Sequence, residues 1–294
     1  MREWLGGSDW YRGDFHVHTP FSRCYGQNGV TARQILERAR ELDFMVVADH
    51  NTFDGYLHLL EYKGLTPIIF PGVELKVPCG YCGLSMIVIL DPRLSPEDLE
   101  MFLREIGLTG ADKGDSRVIL RASLPELVRA ICKYDGIAVW TKAFTHEGIL
   151  GGVDEKQREY ILGLNWPVSI MDLNDQEETG NHPGVWGSDA HMLGDMGRHT
   201  TLVKLENLDF PGLKFALLDP KARVRPGSRL QAINHPRFLS LRVSGGFLAD
   251  QEFVFNPGLN CLIGARGTGK TTALKLLGFA LGMDLDLAAL LGEG

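Results

Sequence analysis

A chain of 294 residues allows one large domain or two of ordinary size. Its 30 Lys and Arg against 37 Asp and Glu leave a formal net charge of −7. That balance excludes a broad polyanion-binding surface and confines any nucleic-acid contact to a local patch or to metal ions. A hydrophobic fraction of 44% and a charged fraction of 23% exclude a disordered chain. No apolar stretch is long enough to cross a bilayer, the start Met1–Trp4 lacks a signal-peptide core, and five cysteines (24, 79, 82, 132, 261) imply no disulfide framework. The expectation is a cytoplasmic protein without membrane contact.

In chain order, short apolar runs predict buried strands at 15–18, 44–49, 67–75, 84–90, 137–142, 168–173 and 185–188. Helices begin between them with legible starts. Thr31 to Gln34 and Ser123 to Glu126 have capping-box spacing, and Ser95 opens a third helix running to about Ile106. This alternation predicts an α/β fold with parallel pairing, as an open sheet or a barrel. Turn formers and a cationic cluster at 219–236 mark a break, for which a phosphate contact is one reading and a solvated linker the favoured one. Beyond it, 238–243 and 252–255 predict a hairpin, 260–263 a strand, and 271–281 a helix.

Four of the predicted strands end in groups that hold metals. The first carries His16 and His18, which a strand's period of two places on one face. The others end in Asp49-His50, Glu74, and Asp189-Ala-His191. In a parallel α/β fold these ends converge on one face, and so many buried carboxylates and imidazoles call for cations. His16-Val-His18-Thr, Val47-Ala-Asp49-His50, Gly72-Val-Glu74 and Gly187-Ser-Asp189-Ala-His191, in this order, resemble the PHP family (polymerase and histidinol phosphatase) over residues 8–225.

The resemblance implies a distorted (β/α)7 barrel whose members hydrolyse phosphate esters with metal-activated water. It implies one ion site from His16, His18, Glu74 and Asp189, part of another from His50 and His191, and Glu74 as the bridging carboxylate. Asp49 and Lys142 are the expected catalytic residues. The family's further histidines are replaced by Ser85-Met86-Ile87, by Thr141-Lys142, and by Cys24 or nothing. Two divalent ions, Mn²⁺, Zn²⁺ or Fe²⁺, are therefore expected rather than three. Lys142 then stands in for a missing cation or forms an ordinary strand-end salt bridge, and His146 is a loop histidine or a substitute ligand. Cys79 and Cys82 suit a tight turn better than a zinc knuckle. His182, His199 and His235 are expected at the surface or in hydrogen bonds.

Gly264-Ala-Arg266-Gly267-Thr268-Gly269-Lys270-Thr271, followed by Thr272, matches the P-loop pattern between an apolar run and a helical one. Such a loop cradles phosphates, with Lys270 on the β/γ oxygens and Thr271 on Mg²⁺. The run from Phe255 to Thr272 resembles the start of SMC/ABC-type ATPases. Only twenty-four residues follow Lys270, too few for a Walker B acid, so the chain is expected to be the front of a longer protein without ATPase activity of its own.

The whole arrangement resembles TrlF-like PHP-domain ATPases, a class associated in part with antiphage defence. The expected organisation is a PHP domain over 1–225, a linker over 226–236 and an incomplete P-loop NTPase segment over 237–294. The expected partners are a nucleic-acid or nucleotide substrate, ATP with Mg²⁺ in the complete ATPase, and a homo-oligomer formed through the ATPase part. A histidinol-phosphatase-like enzyme and a catalytically degenerate scaffold are the alternatives.

Overall fold

Seven consecutive buried residues, Phe44–His50, form the strand on which the larger unit of the computed structural model is built. The structure describes residues 8–62, 67–78, 83–141, 154–164, 168–170, 184–227, 236–256 and 258–283. The chain divides into two units, Asp9–Leu230 and Met1–Ser8 with Gln231–Gly294.

The larger unit runs β1 (Asp9–Val17), α1 (Ala32–Arg38), β2 (Phe44–His50), α2 (Asp54–Leu60), β3 (Ile68–Val77), β4 (Leu84–Ile89), α3 (Pro96–Glu105), α4 (Leu124–Lys133), β5 (Ile137–Trp140), α5 (Glu155–Gly163), β6 (Val168–Ile170), β7 (Gly184–Trp186), β8 (Thr201–Leu205), α6 (Phe210–Leu218), α7 (Pro220–Arg223) and β9 (Val224–Pro226). The capping boxes at Thr31 and Ser123 form as the spacing predicts, Ser95 forms a further one with Asp98, and a Pro stands in the first turn of α3 and α4.

The strands make one nine-stranded sheet in the order β7-β6-β5-β4-β3-β2-β1-β8-β9. Parallel pairing holds within β1-β2-β3 and within β5-β6-β7. It is interrupted at β4, which runs antiparallel to both neighbours, and at β8 and β9, which the sequence did not announce. A strand buried on both faces reads as a plain apolar run whatever its direction, so the reversal of β4 leaves no mark in composition.

The sheet curls until the segment after β7 meets β1. His18 N–H donates to the Ala190 carbonyl at 3.0 Å, and Ala190 N–H donates to the His16 carbonyl at 3.3 Å. Two apolar cores result. Phe44, Val46, Ala48, Phe70, Ile87 and Phe210 fill the inner face, whereas Met45, Val47, Val73, Leu75, Leu99 and Leu127 pack the outer face under the helices. Each fully buried large apolar side chain contributes roughly 1.5–3 kcal/mol relative to exposure.

The smaller unit holds a two-stranded antiparallel ribbon, β10 (Ser240–Val243) with β11 (Gln251–Val254), and α8 (Lys270–Ala280). The predicted strand at 260–263 does not form. These residues find no pairing partner among the described residues, and Ile263 is 95% exposed. No helix among the described residues is long and apolar enough to cross a membrane.

Candidate metal centre

The inner face of the sheet is where the histidines meet, and a β-bulge puts them there. The register of β1 against β2 shifts between Asp14 and Val17. Phe15 consequently joins the inner core and Val17 the outer one. Without the extra residue Phe15 and Val17 would share a face, and His16 and His18 would point outward. With it, both imidazoles lie beside Glu74, whose register neighbour across β2 and β3 is His50.

Asp189 arrives from the segment after β7. Gly187 there packs so closely on β1 that a Cβ would sit 2.6 Å from His16 Cβ and 2.8 Å from His16 N. The approach is pinned by Asp14, which is buried. Its carboxylate accepts from the backbone N–H groups of His16, Ser188 and Gly197 and from the Ser188 hydroxyl.

Four donors converge. His16 Nε2 and His18 Nε2 stand 3.0 Å apart, each 3.3 Å from Glu74 Oε2 and 3.2–3.3 Å from Asp189 Oδ1. Four atoms bound at about 2.1 Å to one ion stand roughly 3.0–3.4 Å apart for angles from octahedral to tetrahedral, so the set has the dimensions of a coordination shell. Asp189 Oδ1 is buried without a well-aligned hydrogen-bond donor, as a ligand atom aimed at a cation is. Imidazole with carboxylate suits Mn²⁺, Zn²⁺ or Fe²⁺.

His50 and His191 flank this set and group with His18. His50 Nδ1 is 3.4 Å from Glu74 Oε2, so one carboxylate oxygen faces three imidazoles. His191 Nδ1 lies 2.8 Å from the Asp189 carbonyl, an acceptor only, and therefore carries the proton; Nε2 is left as the ring nitrogen that could bind a metal.

Asp49 lies beneath the cluster rather than in it. Its oxygens accept from Thr19 N–H at 2.8 Å, the Thr19 hydroxyl at 2.6 Å and the Ser22 hydroxyl at 2.6 Å. With its only proton given to Asp49, Ser22 Oγ accepts from His18 Nδ1 at 3.0 Å and from His50 N–H at 3.1 Å. His18 is thereby fixed with Nε2 toward the ligand set.

The charges follow this layout. Burial opposes protonation of His18, but Asp189 and Glu74 overcome it and raise its pKa to about 9. Burial takes His50 down to about 4 against the pull of Glu74, and lowers His191 as well. Against the cost of their own burial, the neighbouring imidazoles hold Glu74 and Asp189 below the usual carboxylate range. Burial raises Asp14 and Asp49.

Of the predicted site residues, His16, His18, His50, Glu74, Asp189 and His191 come together. Lys142, His146, Cys79, Cys82, His182 and His235 lie outside the described residues, and His199 is half-buried. Where the PHP pattern has further histidines, Met86 and Ile87 are core residues, and the Thr141 hydroxyl stands 3.4 Å from Glu74 Oε1. Ser22, Asp14 and Ser188 were missed as working residues. The available signal was a short polar side chain next to a ligand at a buried strand end.

In the smaller unit, Gly267 and Gly269 have φ of 85° and 86°, and Lys270 opens α8. The Lys270 ammonium donates to the Gly264 and Ala265 carbonyls at 2.6 Å each, and the Thr268 hydroxyl donates to the Ala265 carbonyl. Arg266 and Thr271 are exposed and Thr272 is half-buried.

Residues 239–286 match the AAA domain family. No curated protein matches the chain. Among solved structures, the lesion-specific endonuclease PfuEndoQ of Pyrococcus furiosus is similar with a TM-score of 0.55 at 16% identity, over 71% of this chain and 56% of that one. Endonuclease Q in complex with a 27-mer duplex substrate, an abasic lesion at its active site, gives 0.55 at 15% identity over 72% and 57%. A two-domain protein of Bacteroides vulgatus containing a PHP-like metal-dependent phosphoesterase gives 0.52 at 14% identity over 76% and 66%. The matched part thus spans little more than half of the first two proteins. The larger unit of this chain has the fold of the PHP phosphoesterases, and it is followed by an AAA-type P-loop segment.

Proposed function

We propose that this chain is a divalent-metal phosphoesterase that cleaves phosphodiesters of nucleic acid or nucleotides, governed by the ATPase to which its P-loop segment contributes. The observation that carries this reading is the convergence of His16, His18, Glu74 and Asp189 at coordination distances. The likeness in fold to an endonuclease solved with its DNA duplex supports the choice of diester. The PHP module is assigned to 1–225, the linker to 226–236 and the ATPase portion to 237–294, with antiphage defence as its setting and a homo-oligomer through the ATPase part.

His16, His18, Glu74 and Asp189 would hold one ion, and His50 and His191 a second, with Glu74 between them. Bound divalent ions neutralise phosphoryl oxygens and acidify water at neutral pH. Ser22 and Asp49 hold the His18 ring in one tautomer, so Asp49 is a positioning residue rather than a group at phosphorus. Asp14 fixes Ser188 and with it the approach of Asp189. Lys142 contributes positive charge to the phosphoryl group in this reading. Gly264, Arg266, Gly267, Thr268, Gly269, Lys270, Thr271 and Thr272 would take ATP with Mg²⁺ in the complete ATPase.

The test is hydrolysis of a chromogenic phosphodiester and its monoester counterpart with Mn²⁺, Zn²⁺ or Fe²⁺, by wild type and His18→Ala. Diester cleavage that falls at least about a hundredfold in the variant is expected, since a ligand common to both histidine sets is removed. Monoester preference would replace the reading with a small-molecule phosphatase. Absence of turnover together with absence of bound metal would replace it with a scaffold.

A further inference from the structure

A cleft of about 280 Å³ opens onto His50, Glu74 and His191, and its remaining wall includes Ser116 and Arg117. These two belong to the connection between α3 and α4, far in sequence from every proposed ligand. The connection is tied down at each step. Thr109 N–H and hydroxyl donate to Asp112 at 2.8 and 2.7 Å, and Arg121 caps the same carboxylate at 3.0 Å. Gly114 N–H donates to the His50 carbonyl at 2.8 Å, and Arg23 N–H donates to the Gly114 carbonyl at 2.8 Å. Gly114 has φ +75°, and a Cβ there would meet the Phe21 carbonyl at 2.4 Å, so only glycine lets the wall approach this closely. The buried Asn51 side chain donates to the Asp115 carbonyl at 2.8 Å.

On this fixed wall the Arg117 guanidinium is held from behind by Asp115, with Nε at 3.0 Å and an NH₂ group at 2.8 Å, yet its side chain is 86% exposed. The same carboxylate also holds Arg23 at 3.3 Å. Two guanidinium groups on one carboxylate leave one net positive charge beside a cleft whose lining includes Glu74, His50 and His191. A guanidinium oriented in this way, with donors still facing solvent, suits a phosphate oxygen.

We propose that Arg117, which lines this cleft together with Lys76, is a substrate-binding cation that takes a non-scissile phosphate of a nucleic-acid or nucleotide substrate. The proposal rests on the phosphodiesterase reading for its substrate class, but its test does not depend on turnover. A flanking phosphate exists in an oligonucleotide and is lacking in a minimal chromogenic diester, so Arg117 discriminates between them.

The experiment measures binding of a fluorescein-labelled, phosphorothioate-linked single-stranded DNA oligonucleotide to the full chain with Mn²⁺, by anisotropy over a series of salt concentrations. Arg93→Ala is the control. Arg93 makes the same pair with the Asp two residues before it, but stands past the end of β4, which runs away from the cleft. Arg117→Ala is expected to weaken binding about five- to tenfold and to reduce the slope of log K against log salt by about 0.7, the value for one phosphate contact on a single strand. Arg117→Lys should keep the slope, and Arg93→Ala should change neither quantity.

Equal binding with an unchanged slope in Arg117→Ala overturns the proposal, as does a wild type that does not bind the oligonucleotide. Hydrolysis of the chromogenic diester in that last case leaves the phosphodiesterase reading standing. Arg117-dependent binding without any hydrolysis supports the proposal and overturns the catalytic reading alone.

Discussion

Ser22 has one hydroxyl proton and two lone pairs, and all three are committed: the proton to Asp49, the lone pairs to His18 Nδ1 and the His50 N–H. Ser22→Ala should therefore lower Mn²⁺ affinity about 10–100-fold while the protein stays folded, measured by calorimetric titration beside a far-ultraviolet spectrum; unchanged affinity would remove Ser22 from the site. The imidazoles also set a pH dependence with two opposed windows. His18, raised from 6.5 to about 9 in the metal-free protein, contributes stability that is complete below pH 6.5 and is lost as pH rises through 9. His50, lowered to about 4, contributes stability that is present above pH 6.5 and is lost as pH falls through 4. In EDTA the melting temperature should peak near pH 6.5, and Mn²⁺ should abolish the alkaline fall because it replaces the proton on His18 Nε2. An alkaline fall that persists under saturating Mn²⁺ would contradict this. The six ligand candidates were legible in the sequence because imidazoles and carboxylates at strand ends are rare without a reason. Ser22 and Asp14 were not, because a serine or an aspartate beside a strand end is ordinary until its three partners are seen.

Among the elements, β1 shows the limit of periodicity. The spacing of His16 and His18 announces a shared face, but which face depends on the bulge before Val17, and one inserted residue has no compositional signature. Helix starts were the most legible feature, because a capping box is a local reciprocal pair that needs no tertiary contact. Ser95→Ala should cost about 1 kcal/mol in chemical denaturation. Gly187→Ala is the stronger test of an element contact. The added methyl meets the His16 backbone and Cβ and the Phe15 carbonyl carbon, none of which is a flexible side-chain end, so it should cost about 1–3 kcal/mol and displace Asp189 from His16. A denaturation midpoint equal to wild type with full Mn²⁺ binding would show that the approach of β7 to β1 has slack. The expected strand at 260–263 failed for the opposite reason. Its apolar pattern is sound, but a strand exists only through its neighbours, and the described residues offer none.

For the molecule as a whole, binding of a metal by this cluster would be linked to the fold, since the four donors come from the end of β1, the residue just past it, β3 and the segment after β7, which are distant in sequence. Saturating Mn²⁺ at a hundredfold excess over Kd should stabilise the larger unit by about 2.7 kcal/mol, a shift of several degrees in a thermal melt that EDTA reverses. No shift would mean that the donors do not close on an ion. The reversed strand β4 has a consequence of its own. It carries the chain away from the cleft, so residues 90–136 start and finish toward the other end of the strands. Leu90 N–H is bonded to Pro71 there, and a Cβ on Gly136 would be 3.0 Å from the Leu90 side chain. The middle of the same segment reaches back to His50 through Gly114. Its ends are closed, so the exposed positions of the α3–α4 connection can vary while Leu99 and Leu127 keep their places in the outer core and every strand keeps its register, and the wall that faces the cleft is free to diversify over an unchanged histidine and carboxylate cluster.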